Sequence, residues 1–251
     1  MDDRASINSL RKCKLMGYDL LDEPVPALLS LPDSVIINTL NPHSWVCATS
    51  DPDFRYALDK SDLIIADGVG LFIASIILNG SAIYRTTGAD LWKSLMEELN
   101  KKMGRCFYLG STPEVLNKIR DHINNHFQSV TFGCYSPPFC EDFTQDQIDE
   151  MVESINEFKP DVLFIGITAP RQEKLAQKLR GRINPKVTAS IGAVFDFVAG
   201  SQPRAPNVMR NLGLEWLYRL IREPKRMWRR NFISTPRFLY AVFSYRFFRE
   251  K

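Results

Sequence analysis

One carboxylate is placed where it could do chemistry. Asp67 ends the apolar run Leu63 to Ala66 and is followed by Gly68, Val69 and Gly70. There an apolar strand opens into a turn, and partial loss of water would raise the pKa of a carboxyl group toward general-base work. The position also suits a helix N-cap satisfied by backbone N–H groups. Asn38 and Thr39 close another apolar run and could hydrogen-bond a sugar or phosphate oxygen. Thr87, Gly88, Ala89 and Asp90 put small residues and free amides at a helix start, which fits a phosphate or ordinary capping. Gln172 and Glu173 open a helix directly after a strand, with Gln172 in reach of a base or sugar edge. Asp196 is the one acid in the small and aromatic stretch from Ile191 to Gly200.

Metal chemistry finds little support. Asp51-Pro52-Asp53 matches the D-x-D pattern of metal-dependent glycosyl transfer, but Asp followed by Pro reads better as a helix start. The three histidines, His43, His122 and His126, form no recognisable ligand set. No G-x-G-x-x-G or Walker-type loop occurs, which disfavours a dinucleotide oxidoreductase or a P-loop NTPase. No metal and no cofactor are expected.

The elements that must hold these residues alternate in type. Apolar strands are expected from Val35 to Asn38, Leu63 to Ala66, Cys106 to Leu109, Val162 to Gly166 and Val187 to Gly192. Helices are expected to start at Asp51, near Thr87, after Pro113, at Gln145 and after Pro170. The run Leu71 to Leu78 is apolar on nearly all faces and predicts a buried helix. The first thirty residues and the segment after Val130 carry no clear pattern. The alternation predicts an α/β fold with a Rossmann-like, mostly parallel sheet covered by helices. Polar residues gather at strand ends, so one cleft at the carboxyl edge is expected.

Charge is distributed unevenly. From Arg204 onward twelve basic residues face three acids, a net +9 in a chain whose total is +3. The remainder therefore carries −6, and a basic block on an acidic core implies a polyanionic partner. Arginines interleave with Trp216, Trp228 and many phenylalanines and tyrosines, as suits a membrane interface. Nucleic acid could use the same composition, but no groove-reading motif supports it. The expected division is a core over residues 1–200 and a basic helical appendage over 201–251. Five cysteines without a C-x-x-C pair fit a reducing compartment, and no signal-peptide run opens the chain. A cytoplasmic protein, peripheral at the inner face of the cell membrane, is expected; the sequence leaves homo-oligomerisation open.

The ordered set of motifs resembles the WecG/TagA/CpsF family of bacterial glycosyltransferases from about Ile36 to Trp228. It comprises Asn38-Thr39, Ala66 to Gly70, Thr87 to Asp90, Leu109 to Ser111, Ala169 to Glu173, Gly192 to Phe197, Arg204 to Pro206 and Gly213 to Leu220. The resemblance implies an inverting, metal-independent transfer of a sugar from a UDP-sugar to a polyprenyl-diphosphate-linked sugar. N-acetylmannosamine, its uronic acid and glucose all remain open as the sugar. It implies Asp67 as base with Thr39 beside it, and Asn38, Gly88, Asp90, Gln172 and Asp196 as contacts to UDP. Arg219, Arg226 and Arg229 match the arginines that meet the lipid diphosphate. The family's usual lysine before the Gln-Glu pair is Arg171 here. A catalytically silent, membrane-docking module that binds a nucleotide sugar is the alternative.

Overall fold

Strands that must bury both faces need helices on both sides, and the computed structural model has that arrangement. It describes residues 7–31, 34–202, 205–206, 208–209 and 213–248. The strands are β1 (Lys12–Leu15), β2 (Tyr18–Leu21), β3 (Val35–Leu40), β4 (Leu63–Ala66), β5 (Arg105–Gly110), β6 (Thr131–Tyr135), β7 (Val162–Gly166) and β8 (Val187–Ser190). They form one sheet in the order β1-β2-β4-β3-β8-β7-β5-β6. Among the described residues only the β1–β2 pair is antiparallel. The α/β class with a mostly parallel sheet is as expected.

Three strands carry no apolar signal strong enough to be anticipated. β1 and β2 are four-residue arms of a hairpin. β6 is an edge strand whose side chains are exposed or half-buried, so it needs no apolar run.

The helices are α1 (Pro42–Ser50), α2 (Pro52–Asp59), α3 (Val69–Asn79), α4 (Gly88–Lys102), α5 (Pro113–His126), α6 (Gln145–Phe158), α7 (Arg171–Leu179) and α8 (Val194–Val198). The C-terminal segment adds α9 (Glu215–Arg222), α10 (Pro224–Arg229), a π-helical turn (Arg230–Ser234) and α11 (Thr235–Phe248). α1 was not foreseen, although Asn41 caps it by accepting from the Ser44 N–H and Pro42 fills its first turn. Asp51 caps α2 in the same way, through the Phe54 N–H at 3.0 Å, and pairs with Lys174 at 2.8 Å.

α3 departs from its expected all-round burial. Leu71 and Ala74 are buried, but Ile73 and Ile76 are 40% and 45% exposed. α3 packs instead against α11, whose Phe238 and Val242 are fully buried among Leu15, Leu20, Leu71 and Ala74. Trp45 of α1 meets the Phe238 ring edge-on at 5.5 Å and donates to the Met16 carbonyl. The far end of the chain is thus part of the core.

Two glycines allow the strand ends to approach their neighbours. A Cβ on Gly110, whose φ is +121°, would lie 2.6 Å from the Gly166 carbonyl oxygen. A Cβ on Gly166 would lie 2.4 Å from the Phe195 ring. Neither space exists, so β5 and β7 end flat and bare.

Candidate active site

β3 and β4 lie side by side, with Leu40 opposite Ala66, so the loops that follow them meet. The Asp67 N–H continues the ladder to the Leu40 carbonyl at 2.8 Å. Gly68, at φ +88°, then turns the chain into α3 and is itself the N-cap, with no side-chain cap bond. The carboxylate of Asp67 is therefore not consumed as a helix cap. It lines a cavity of about 350 Å³, walled on the core side by Asn41, His43, Arg85 and Thr87. The C-terminal segment closes the other side with Trp216, Arg219, Arg230 and Asn231.

Electrostatics in this cavity set the state of Asp67. Burial pushes its pKa above the ordinary carboxylate value. The positive charges of Arg219 and Arg230 oppose that rise, while Glu215 and Asp90 add to it. Arg219 is held by Glu215 at 2.6 Å and lies 4.7 Å over the Phe197 ring. Arg230 is mostly enclosed; burial works against its charge and Asp67 supports it. His43 is kept neutral, its pKa lowered to about 4 by burial and by the nearby Arg230 and Arg229. Its Nδ1 lies 2.8 Å from the Ser234 Oγ.

A second cavity, of about 430 Å³, opens where β5, β7 and β8 end. Its floor includes Gly110, Gly166 and Gly192, and its walls include Ser111, Thr168, Arg171 and Asp196. Asp196 faces Arg226 of α10 at 3.9 Å, and Arg226 is also bound by Glu223 at 2.7 Å. Burial raises the Asp196 pKa, Arg226 lowers it, and Glu223 adds to the rise. α10 and the turn after it supply residues to both spaces. Arg226 faces the second cavity, whereas Met227 and Arg230 face the first.

The other anticipated residues fall in varied places. Thr39 is half-buried in β3, opposite Ile65, and lines neither cavity. Asn38 is fully buried, its Nδ2 donating to the Ser61 Oγ at 2.8 Å. Gly88 is buried against Val194 and Ile191. Asp90 completes a capping box with Thr87, accepting from its N–H and, at 2.6 Å, from its hydroxyl. Gln172 is buried, donates to Glu173 at 2.8 Å, and lines neither cavity. Burial pushes the Glu173 carboxyl up to about 7. Arg229 is exposed and outside both linings, and its neighbour Arg230 takes the inward position. Arg204 lies outside the described residues. Among the described residues, no three His, Cys, Asp or Glu side chains come together in a way that could hold a metal ion.

Comparison with known proteins decides the family. The model of the glycosyl transferase WecG/TagA/CpsF family matches residues 20–251. The chain belongs to this family. It is a glycosyltransferase, as the motif order implied. A Bacillus subtilis (strain 168) protein is 31% identical over 82% of this chain and 78% of its own length. That relative is named N-acetylglucosaminyldiphosphoundecaprenol N-acetyl-beta-D-mannosaminyltransferase. A Bacillus spizizenii relative (30% identical, covering 82% and 77%) and a Staphylococcus aureus (strain MW2) relative (26%, covering 84% and 80%) bear the same name. No helix among the described residues is long and apolar enough to cross a membrane.

Proposed function

We propose that this glycosyltransferase moves N-acetylmannosamine from UDP-N-acetylmannosamine to a polyprenyl-diphosphate-linked N-acetylglucosamine, in building a cell-envelope polymer. The observation that carries the reading is the uncapped Asp67 carboxylate, lining a cavity between Arg219 and Arg230. The relatives' shared name supplies the two sugars. The reaction is a single displacement. A hydroxyl oxygen of the acceptor attacks the anomeric carbon as the bond from that carbon to the donor phosphate breaks. The hydroxyl proton passes to Asp67, UDP leaves with the bonding electron pair, and the configuration inverts.

The second cavity suits the nucleotide. Bare glycine strand ends let a diphosphate approach the backbone, and Asp196 offers a carboxylate to a base or ribose edge. Thr39, Asn38, Gly88, Asp90 and Gln172 act from beneath this edge as supports of the loops that touch UDP. Charge building on the leaving diphosphate is met by Arg226, without a metal ion. Arg219 and Arg230, with Arg229 at the rim, face the diphosphate of the lipid acceptor. Residues 201–251 serve as an appendage that completes the site. Its exposed Trp228, Phe232, Tyr240 and Phe247 rest on the cytoplasmic face of the membrane.

Asp67→Asn tests the assignment. It keeps the shape and removes the base, so transfer to a short-chain lipid acceptor should fall about 10²–10⁴-fold while UDP affinity is kept. Near-normal turnover of the variant would overturn the role of Asp67.

A further inference from the structure

The C-terminal segment contributes more to the first cavity than positive charge. Between α10 and α11 the backbone forms a π-helical turn, Arg230–Ser234, in which the Thr235 N–H reaches back five residues to the Arg230 carbonyl. Such turns are rare and are found most often at functional sites, because the extra residue re-aims the side chains around it. Here the turn brings Arg230 and Asn231 together to the wall that faces Asp67. The Asn231 Nδ2 is shut off from solvent and has no hydrogen-bond partner among the described residues. An amide donor left in that state costs free energy, and rotation of the amide would present its hydrogens to an acceptor in the cavity that Asn231 lines. The turn is also pinned from the opposite wall, where His43 of α1 meets Ser234 at 2.8 Å.

Trp216 belongs to the same lining. A flat apolar ring, one orphaned amide donor and a carboxylate base surround a space of about 350 Å³. A pocket of this kind, mainly apolar with a few aimed polar groups, fits a single pyranose ring. The lipid diphosphate is met by the charged donors Arg219 and Arg230, which leaves the neutral amide for the sugar.

We propose that the π-helical turn reads the acceptor sugar: Asn231 donates to an oxygen of that sugar, and Ser234, through His43, positions the turn. This rests on the transfer reaction proposed above and adds a residue that sets acceptor specificity. Neutral His43 suits the role, since it can share one hydrogen with the Ser234 hydroxyl without bringing a further charge beside Asp67.

The test is steady-state kinetics on the full chain, with a short-chain prenyl-diphosphate N-acetylglucosamine as acceptor and UDP-N-acetylmannosamine as donor. Asn231→Leu and Asn231→Ser should each raise the acceptor KM about tenfold and leave the donor KM within about twofold. Ser234→Ala should raise the acceptor KM by a smaller factor with kcat nearly kept, the mark of a positioning residue. UDP affinity by calorimetry should be unchanged in all three, which also checks that they fold. An unchanged acceptor KM in both Asn231 variants overturns the proposal. A donor KM or UDP affinity that shifts in parallel overturns it too, because the effect would not be confined to the acceptor. A wild-type protein that makes no product from these substrates sinks the proposed reaction instead.

Discussion

The two cavities at the carboxyl edge of the sheet are built on different plans. The one at the ends of β5, β7 and β8 is lined by the loops that follow those strands and by residues 136–143, and the C-terminal segment lends it Arg226. The one at Asp67 takes nearly half of its lining residues from Gly213 onward. A lining fixed by strand-end loops suits a ligand that is the same in every cycle, such as a nucleotide diphosphate. A wall of side chains borrowed from the end of the chain suits a partner that arrives with its own lipid and must be told apart from others. The first plan needs the sheet, its loops and one borrowed arginine, whereas the second needs the chain to fold back on itself.

Phe238→Ala should break the comparison most severely. It empties a fully buried site between α11, α1 and α3 and should cost about 3–5 kcal/mol of stability, read by denaturant unfolding. The loss should fall on the acceptor side, so acceptor KM should rise while UDP affinity in the surviving fold is kept. Equal damage to both would mean that the cavities are not separable.

Glu173→Gln sharpens the comparison from the opposite side. Glu173 is buried behind the sheet edge with a carboxyl at about 7, against an ordinary 4.5. Below 4.5 folded and unfolded chains both hold the proton and nothing is lost. Between 4.5 and 7 the unfolded chain releases a proton that the fold retains, so stability falls as pH rises, and above 7 the penalty stays constant. Gln removes it, and the variant should gain up to about 3 kcal/mol over wild type at pH 8 and almost nothing at pH 4. Unfolding titrations at the two pH values measure the difference; a gain equal at both would rule out the titrating carboxyl.

The smallest expected effect is a shift in a pH profile. Arg230 holds the Asp67 pKa down against burial. In Arg230→Gln that pKa should rise, so the acid limb of kcat/KM should move to higher pH. A limb that stayed in place would separate Arg230 from the base. A limb that moved down would reverse the sign of the interaction.

The placement of Asp67 was readable in the sequence because strand, carboxylate and glycine turn follow one another directly. The parallel sheet was readable too, since strands buried on both faces are written as continuous apolar runs. Which side chains face which space was not readable. Asn38 and Thr39 are adjacent, yet period-two alternation sends them to opposite faces of the sheet, one fully buried beneath α2. Arg229 and Arg230 are equally adjacent, and a π-helical turn, which leaves no mark in composition, turns the second one inward. His43 looked like a scattered histidine because its partner, Ser234, is 191 residues away. Its place in α1 is written in the Asn41-Pro42 start signal, a cap followed by proline like the Asp51-Pro52 pair that opens α2.

The packing of α11 against α3 and α1 has a consequence for how the fold comes apart. Trp45 meets Phe238 across most of the sequence, and the Asp67 cavity has both its walls only while residues 213–239 are docked on the sheet. Contacts so far apart in sequence carry the entropy of closing a long loop. Local opening of the C-terminal segment would therefore empty the Asp67 cavity of nearly half its lining while the strands beneath it stayed paired.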